Sequence, residues 1–547
     1  MRRLHDRALE DPRVAEETLD AWSYHLGEPS PHPGELRARI GAGTLPDAIA
    51  RTARRVPHSP AVSVGERLVT HGELDSLTRS FAFNLGRLGL KPGLRVLLVA
   101  SPGIEEIAAY LGVLRLGATA VLAGPSLTAT EFSQLQDAAA ASWLVGSGAS
   151  LATYAGAAPP GLEEIVGLRP EDKDVASSFI GEFDEGDLQA TLAVDPHSAA
   201  ILAFTSGTTG SPKATPLSHA NLLSSVRSAM LAWRWSERDH LVHSLPISHQ
   251  HGLSGIHATL LSGSRLTLIP RFDPGSTLDA VVGGGATVHF GVPTVYQRIL
   301  ERLGDRAHGL SVLRLATSGS APLPVTVADR YHKVVGVRIL ERYGTTESGL
   351  NLSNPHDGPR VPGSVGTPLP GVEVAIADDS GEPSDPGETG EILVRGPQVF
   401  SGYEGVAVAA QPFLHGWFRT GDLGSVDLRT GYVRVVGRTK EVIITGGMNA
   451  YPREIEDALR GHPDVSDAVV VGVESSEWGE EVVAVVTPAS VDTSRLAEFA
   501  SERLAGYKRP KRIVAVASLP RSAVGKVDHE RILRLIGPSA SGLASDE

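Results

Sequence analysis

The stretch "AAILAFTSGTTGSPKATPLSHANLLSSVRSAMLAW", Ala199–Trp233, decides how this chain is built. It opens with an apolar run of strand length, Ala199–Thr205. It closes with a helical pattern for which Ser218 is the expected N-cap. Between them, Thr205–Ala214 holds two glycines, three threonines, two serines, one proline and one lysine. Glycines let the backbone approach a ligand closely. Successive N–H groups and hydroxyls form an anion nest, and Lys213 adds a point charge. A loop of this composition after a strand of an α/β sheet is expected to grip phosphate. It is not a Walker A loop, because Pro212 precedes Lys213 and Ala214 follows it, and it is not G-x-G-x-x-G. Alone, the loop reads equally well as a surface turn.

Working outward, strand and helix patterns alternate. "RVLLVA" (Arg95–Ala100) reads as a buried strand before the helical "IEEIAAYLGVLRLG". "ATVHFGV" (Ala286–Val292) runs into Pro293 and the helical "TVYQRILERL", with proline in the first turn. "LRLAT" (Leu313–Thr317) and "VRILERYG" (Val337–Gly344) are further strands. This alternation predicts an α/β fold with parallel sheets. From Val361, short strands and Gly/Pro turns predict an antiparallel β subdomain that continues through "GYVRVVGR". After Arg438 the expected order is helix Pro452–Arg460, strands Ala468–Val473 and Glu481–Thr487, helix Ser494–Leu504 and strand Arg512–Val516. That order reads as a compact α+β module.

With 547 residues the chain exceeds what one hydrophobic core usually serves. The expected division is an extension at 1–44, with a helix in Glu10–Leu26, a large domain at 45–438, a small mobile C-terminal domain at 439–535 and a disordered tail at 536–547. Fifty basic against 63 acidic residues leave a formal charge of -13, which argues against a general nucleic-acid or membrane-surface binder. Cysteine is absent, so disulfides, thiolate metal sites and a cysteine nucleophile are excluded. Any thioester chemistry must use a thiol from elsewhere. No apolar run reaches the ~18 residues of a membrane span. "MRRLHDRALEDPRV" lacks the apolar core of a secretory signal, so a cytoplasmic enzyme is expected.

Four more blocks follow the glycine-rich loop in order: "RYGTTES" (Arg342–Ser348), "WFRTGD" (Trp417–Asp422), "GRTKEVIITGGMNAYPREIE" (Gly437–Glu456) and "PRSAVGKVD" (Pro520–Asp528). With them, over about residues 45–535, the chain resembles the adenylate-forming superfamily of acyl-CoA synthetases, carrier-protein-loading adenylation domains and luciferases. The resemblance implies that Thr205, Ser206, Gly207, Thr208, Thr209, Gly210 and Lys213 hold the β- and γ-phosphates of ATP. It places Ser318, Gly319, Ser320, Ala321 and Pro322 on one side of adenine and Tyr343 on the other, with Arg342, Gly344 and Thr345 in the same nucleotide site. Glu347 would be the Mg2+ ligand, beside Thr346, because a hard cation takes carboxylate oxygen. Asp422 would accept the ribose hydroxyls, and Arg438 would lie near ribose or the α-phosphate.

The same resemblance implies that Lys526 stabilises charge as the acid attacks phosphorus, and that Lys440 is the hinge between two orientations of the small domain. Gly446, Gly447 and Met448 would line the path of coenzyme A. His249 would lie near the acyl and thiol path, and Ser248, His251, Gly291, Val292, Ser348 and Gly349 would line the acyl pocket. The implied reaction joins a carboxylic acid to ATP as acyl-AMP and passes the acyl group to the CoA thiol. Loading of a carrier protein, or mainly the thioester half on supplied acyl-AMP, are the other readings. The wording of the motifs is nearest to malonyl-CoA synthetase-like members. A second carboxylate would then need a cation, for which Arg298 and His251 are available, although a solvent-facing Arg298 is favoured. Ser248 stands where the family usually has an aromatic residue, which would widen the pocket for a bulkier acid.

Overall fold

The computed structural model describes residues 33–157, 161–179, 193–205, 213–378, 380–385, 387–407, 411–475, 477–521 and 527–537. The expected Glu10–Leu26 helix, the loop residues Ser206 to Gly210, Lys526 and positions 538–547 of the tail lie outside the described residues.

Two sheets form the large body. The first has seven strands in the order Ser178–Phe179, Glu164–Gly167, Trp143–Gly146, Arg95–Val99, Thr119–Ala123, Ala199–Thr205 and Lys213–Ser218. All neighbours in it are parallel except the last pair. The second has nine strands, and its parallel centre runs from Pro60–Val64 through Arg265–Leu268, His240–His243, Val288–Gly291 and Leu315–Ser318 to Leu340–Thr345. Antiparallel strands flank that centre on both sides. Helix Ile104–Arg115 touches strands of both sheets and is buried almost all round. Its near-continuous apolar sequence is the pattern of a helix enclosed in a core.

One local expectation is corrected. The glycine-rich loop does not lead from a strand straight into a helix. It joins an antiparallel hairpin in which Thr205 opposes Lys213, and the helix His219–Ala232 starts one strand later. The extra strand, "KATPLS", was not expected from the sequence, and it contains Pro216. Proline removes a ladder donor and is tolerated here because this strand is the sheet's edge.

The expected β subdomain is a five-stranded antiparallel sheet that includes Glu373–Ala377, Gly390–Arg395, Trp417–Val426 and Val433–Arg438. Beyond it, Gly479–Thr487 is the central strand of another five-stranded sheet. Alternate residues of its strands face two different layers. Val470, Val482 and Ala484 pack with Ile455, Leu459 and Leu496 of helices Pro452–Arg460 and Thr493–Ser501. Val469, Val471 and Val483 pack with Ile532 and Ile536 of helix His529–Ile536. The C-terminal unit therefore has apolar layers of its own. Helix Pro33–Ile40 packs on the large body: Leu36 and Ile40 are buried with Leu231, and Arg37 pairs with Glu373. No described helix is long and apolar enough to cross a membrane.

Candidate active site

Strand Leu340–Thr345 and the turn after it organise the site. Successive side chains of a strand point to opposite faces, so Tyr343 and Arg342 serve different sides. The Tyr343 hydroxyl donates to Asp422 Oδ2 at 2.6 Å. Asp422 is the cross-strand partner of Arg438, whose Nε donates to Oδ1 at 3.0 Å. Burial pushes the Asp422 carboxyl above its ordinary range, against the opposing pull of Arg438 and the Tyr343 hydrogen bond. Each oxygen thus has one protein donor, and the remaining lone pairs can accept hydroxyl protons of a diol.

The turn at Thr345–Gly349 is held tightly. Gly344 lies against the carbonyl of Gly349, which has φ +59. Thr345 Oγ1 and Ser348 Oγ are 2.9 Å apart, and Asn351 Nδ2 donates to Ser348 Oγ at 2.7 Å. Thr346 is half-buried at the turn. This turn presents the buried carboxylate of Glu347, which accepts a 2.9 Å hydrogen bond from the hydroxyl of Tyr403. Lys213 Nζ lies 4.7 Å from the centre of the Tyr403 ring. Burial, and then the Glu347 charge, push the Tyr403 phenol upward. The structure thus links Lys213 and Glu347, two residues singled out by sequence, through Tyr403, which was not. The available signal for Tyr403 was one aromatic residue between glycines in "VFSGYEG", and its partners are distant in sequence.

On the other face of the strand, the Arg342 guanidinium is buried and packs against Gly319, where a Cβ would collide with it. His251 Nδ1 is 3.1 Å from Ser320 Oγ, and the His251 ring lies 5.6 Å from that of Phe290. Ser320 has φ +67, an uncommon backbone state for a non-glycine residue. Ala321 is half-buried and Pro322 exposed. Among the described residues, Arg342 Nε and Nη2, His251 Nε2 and Ser318 Oγ are buried without a hydrogen-bond partner. Burial lowers the Arg342 guanidinium to about 9 and holds His251 well below 6.5, helped by the Arg342 charge. Gly291 faces the Tyr296 ring, 2.8 Å from where its Cβ would be, and Val292 caps helix Pro293–Arg302. A Cβ on Gly124 would lie 3.4 Å from the half-buried Ser248 hydroxyl. His249 is exposed at the N-cap of helix Gln250–Ser262. Arg298 is exposed on its helix, which removes it as the buried cation of this region.

Thr205 ends its strand, half-buried, opposite Lys213. Lys440 is exposed in the short turn Thr439–Glu441 between the β subdomain and the C-terminal unit. Gly446 and Gly447, at φ +58 and +75, form the hairpin turn before the exposed Met448. Positive φ at both central residues is the requirement of a type I′ turn, which glycine meets without strain. No cluster of three or more His, Cys, Asp or Glu side chains suited to a metal occurs among the described residues. A single buried carboxylate at Glu347, with hydroxyls nearby, nevertheless fits Mg2+, which takes one or two carboxylates and completes its shell with water and substrate phosphate.

Comparison with known proteins agrees with this geometry. Residues 49–404 match the family described as AMP-binding enzyme, and residues 454–526 match the AMP-binding enzyme C-terminal domain. A probable CoA ligase, CCL9 of Humulus lupulus, is 35% identical over 507 residues, covering 88% of this chain and 95% of that protein. The oxalate–CoA ligase of Arabidopsis thaliana is 34% identical, covering 89% and 98%. The crystal structure of ATP-bound MatB from Rhodopseudomonas palustris superposes with a TM-score of 0.81 at 33% identity, covering 90% of this chain and 98% of that one. Two interleaved α/β sheets, a β subdomain, a C-terminal unit and these matches together place the chain in the AMP-binding enzyme family, among its acyl-CoA ligases.

Proposed function

We propose that this protein activates a carboxylic acid with Mg-ATP to acyl-AMP and then transfers the acyl group to the thiol of coenzyme A. The observation that carries the reading is the convergence on one strand and its turn: Tyr343 on Asp422 with Arg438, and Glu347 on Tyr403 with Lys213. Tyr343 offers a flat face to adenine, Asp422 accepts from the ribose diol, and Lys213 with the loop amides takes the terminal phosphates. Glu347 would hold Mg2+, which supplies charge neutralisation on the phosphates when bound. In the first step a carboxylate oxygen of the acid bonds to the α-phosphorus and pyrophosphate leaves. In the second, the thiol sulfur bonds to the acyl carbon, the thiol proton is released and AMP departs with the bond electrons. The large body supplies orientation and fixed charge, and no protein nucleophile is needed. We assign Lys526 to the first step and Lys440 to the pivot that exchanges the two C-terminal faces, with domain limits near 45, 438 and 535.

The acid we infer carries a second anionic group. A buried guanidinium nitrogen without an acceptor is costly, and Nε and Nη2 of Arg342, beside His251 and Gly319, lack one among the described residues. Arg342 thereby takes the role for which Arg298 and His251 had been considered. A carrier-protein thiol is the second reading, favoured by Ile444 and Met448, exposed on the hairpin that bears Gly446 and Gly447.

The test is pyrophosphate exchange with short dicarboxylic, aliphatic and aromatic acids, run beside CoA consumption. Acid-dependent exchange coupled to thioester formation, with dicarboxylates preferred and that preference lost in Arg342→Met, is expected. Exchange without CoA turnover would move the acceptor to a carrier protein. Thioester formation only from supplied acyl-AMP would remove the first step.

A further inference from the structure

Two charges must reach the nucleotide's phosphate end from different parts of the chain: Lys213, at the start of an edge strand, and Glu347, in the turn after Leu340–Thr345. Neither element touches the other through its own backbone pairing. A third segment joins them. The backbone N–H of Phe400 donates to the carbonyl of Glu347 at 2.8 Å, and that of Glu404 donates to the carbonyl of Ala214 at 3.0 Å. Residues 400–404 therefore form a strap tied at one end to the carboxylate's own residue and at the other to the neighbour of Lys213. Asn221 Nδ2 donates to the carbonyls of Pro397 and Val399, fixing the approach to the strap. The Gln411 side chain closes its far side, accepting from Tyr403 N at 2.8 Å and donating to Tyr403 O at 2.8 Å.

Between the two ties, next to the one at Glu404, sits Tyr403. We propose that Tyr403 is a positioning residue for the metal–nucleotide end of the site: its hydroxyl orients the Glu347 carboxylate while its ring carries the Lys213 ammonium, so that one side chain sets the spacing of the cation ligand and the phosphate-binding cation. This inference rests on the adenylating function proposed above. The chemistry is complementary at each end. A phenol donates one hydrogen bond to an ionised carboxylate and leaves the second oxygen for a hard cation. A ring face attracts an ammonium without neutralising it, so Lys213 remains available to phosphate. A direct Lys213–Glu347 ion pair would instead cancel both charges before the nucleotide arrived. Phe400, with its ring centre 5.0 Å from that of Tyr403 and edge-on to it, limits the ring's freedom.

The test compares Tyr403→Phe, which keeps the ring and removes the hydroxyl, with Tyr403→Leu, which removes both, in the full-length enzyme. Calorimetric titration with ATP is done at several Mg2+ concentrations, and steady-state constants are measured for Mg-ATP, acid and CoA. For Tyr403→Phe, the half-saturating Mg2+ concentration is expected to rise about tenfold, the loss of one charge-assisted hydrogen bond. The KM values for acid and CoA should stay within about twofold. For Tyr403→Leu, metal-free ATP affinity should fall as well, and Lys213→Ala should then cost much less than in the wild type, because the pair no longer acts together. Unchanged Mg2+ dependence in Tyr403→Phe would overturn the proposal. So would an equal loss in all constants accompanied by a lowered Tm, which is the mark of packing alone. A wild-type enzyme that makes no acyl-AMP while binding Mg-ATP in a Tyr403-dependent way would instead overturn the proposed function and leave the role of Tyr403 standing.

Discussion

Gly344 shows how little room the site has at the level of one atom. A Cβ there would fall inside the carbonyl oxygen of Gly349, in the turn that presents Glu347. Backbone, unlike a flexible side chain, cannot step aside. Gly344→Ala is therefore expected to destabilise the protein by roughly 2 kcal/mol or more, within the range of overpacking. Urea midpoints would measure this, and Mg-ATP titration of the folded fraction should show weakened binding, since Glu347 moves with the turn. An alanine tolerated with unchanged stability would mean that the turn relaxes freely. The residue types here were legible in advance: Glu347, Asp422, Tyr343 and Lys213 were all chosen from motif wording, and the structure brings them into two linked clusters. Their neighbours were not legible. Tyr403 is 56 positions from Glu347, and nothing in its local sequence specifies that pairing.

Among the elements, helix His219–Ala232 connects local sequence to the site most directly. Its N-cap, Ser218, was expected from the pattern and forms a capping box. The Ser218 side chain accepts from Asn221 N at 3.1 Å, and the Asn221 side chain accepts from Ser218 N at 3.0 Å. Asn221 also anchors Pro397 and Val399, which lead into the strap carrying Tyr403. Ser218→Ala should cost about 1 kcal/mol, the usual value of a lost cap, with little change in nucleotide affinity. Asn221→Ala should cost more and should also raise the Mg2+ requirement, because cap and strap are lost together. Thermal unfolding beside metal titration separates the two effects, and equal behaviour of the two variants would break the connection. Strand Lys213–Ser218 is the element the sequence hid: it contains Pro216, which lacks a ladder donor and is acceptable in a strand only at an edge position.

At the scale of the whole molecule, buried titratable groups set opposite pH limits. Burial holds His219, His243 and His289 at about 4 and His257 at about 3, all below the ordinary 6.5. Groups with depressed folded values are stable while neutral. Their contribution is complete above about 6.5 and is lost as pH falls towards 4, each by an amount on the order of 2–3 kcal/mol. Glu341 acts the other way. Burial raises its carboxyl to about 7, although Arg453 of the C-terminal unit, 3.9 Å away, opposes the shift. Its contribution is complete below about 4.5 and is lost as pH rises through 7. Stability should therefore peak between about pH 6 and 7. Tm measured from pH 4 to 8.5 should fall steeply below about 6, and Glu341→Gln should steepen the rise between about pH 4.5 and 7 while leaving the slope above 7 unchanged. A variant with the wild-type slope between about pH 4.5 and 7 would show that Glu341 does not titrate there.

Taken by itself, the sequence determined the α/β alternation, the β subdomain, the helix–strand–strand–helix–strand run from Pro452 to Ala515 without the short strands Ile443–Thr445 and Met448–Ala450 or helix His529–Ile536, the cap at Ser218 and the residue types that meet around strand Leu340–Thr345. These rest on periodicity, capping and short motifs, all written within a few residues. Only the tertiary structure decided that the glycine-rich loop closes a hairpin, that Arg342 rather than Arg298 is the buried cation, and that Tyr403 stands between Lys213 and Glu347. Those outcomes depend on which distant segments exclude water from one another, and desolvation across the fold is a property of packing that no local stretch of chain contains.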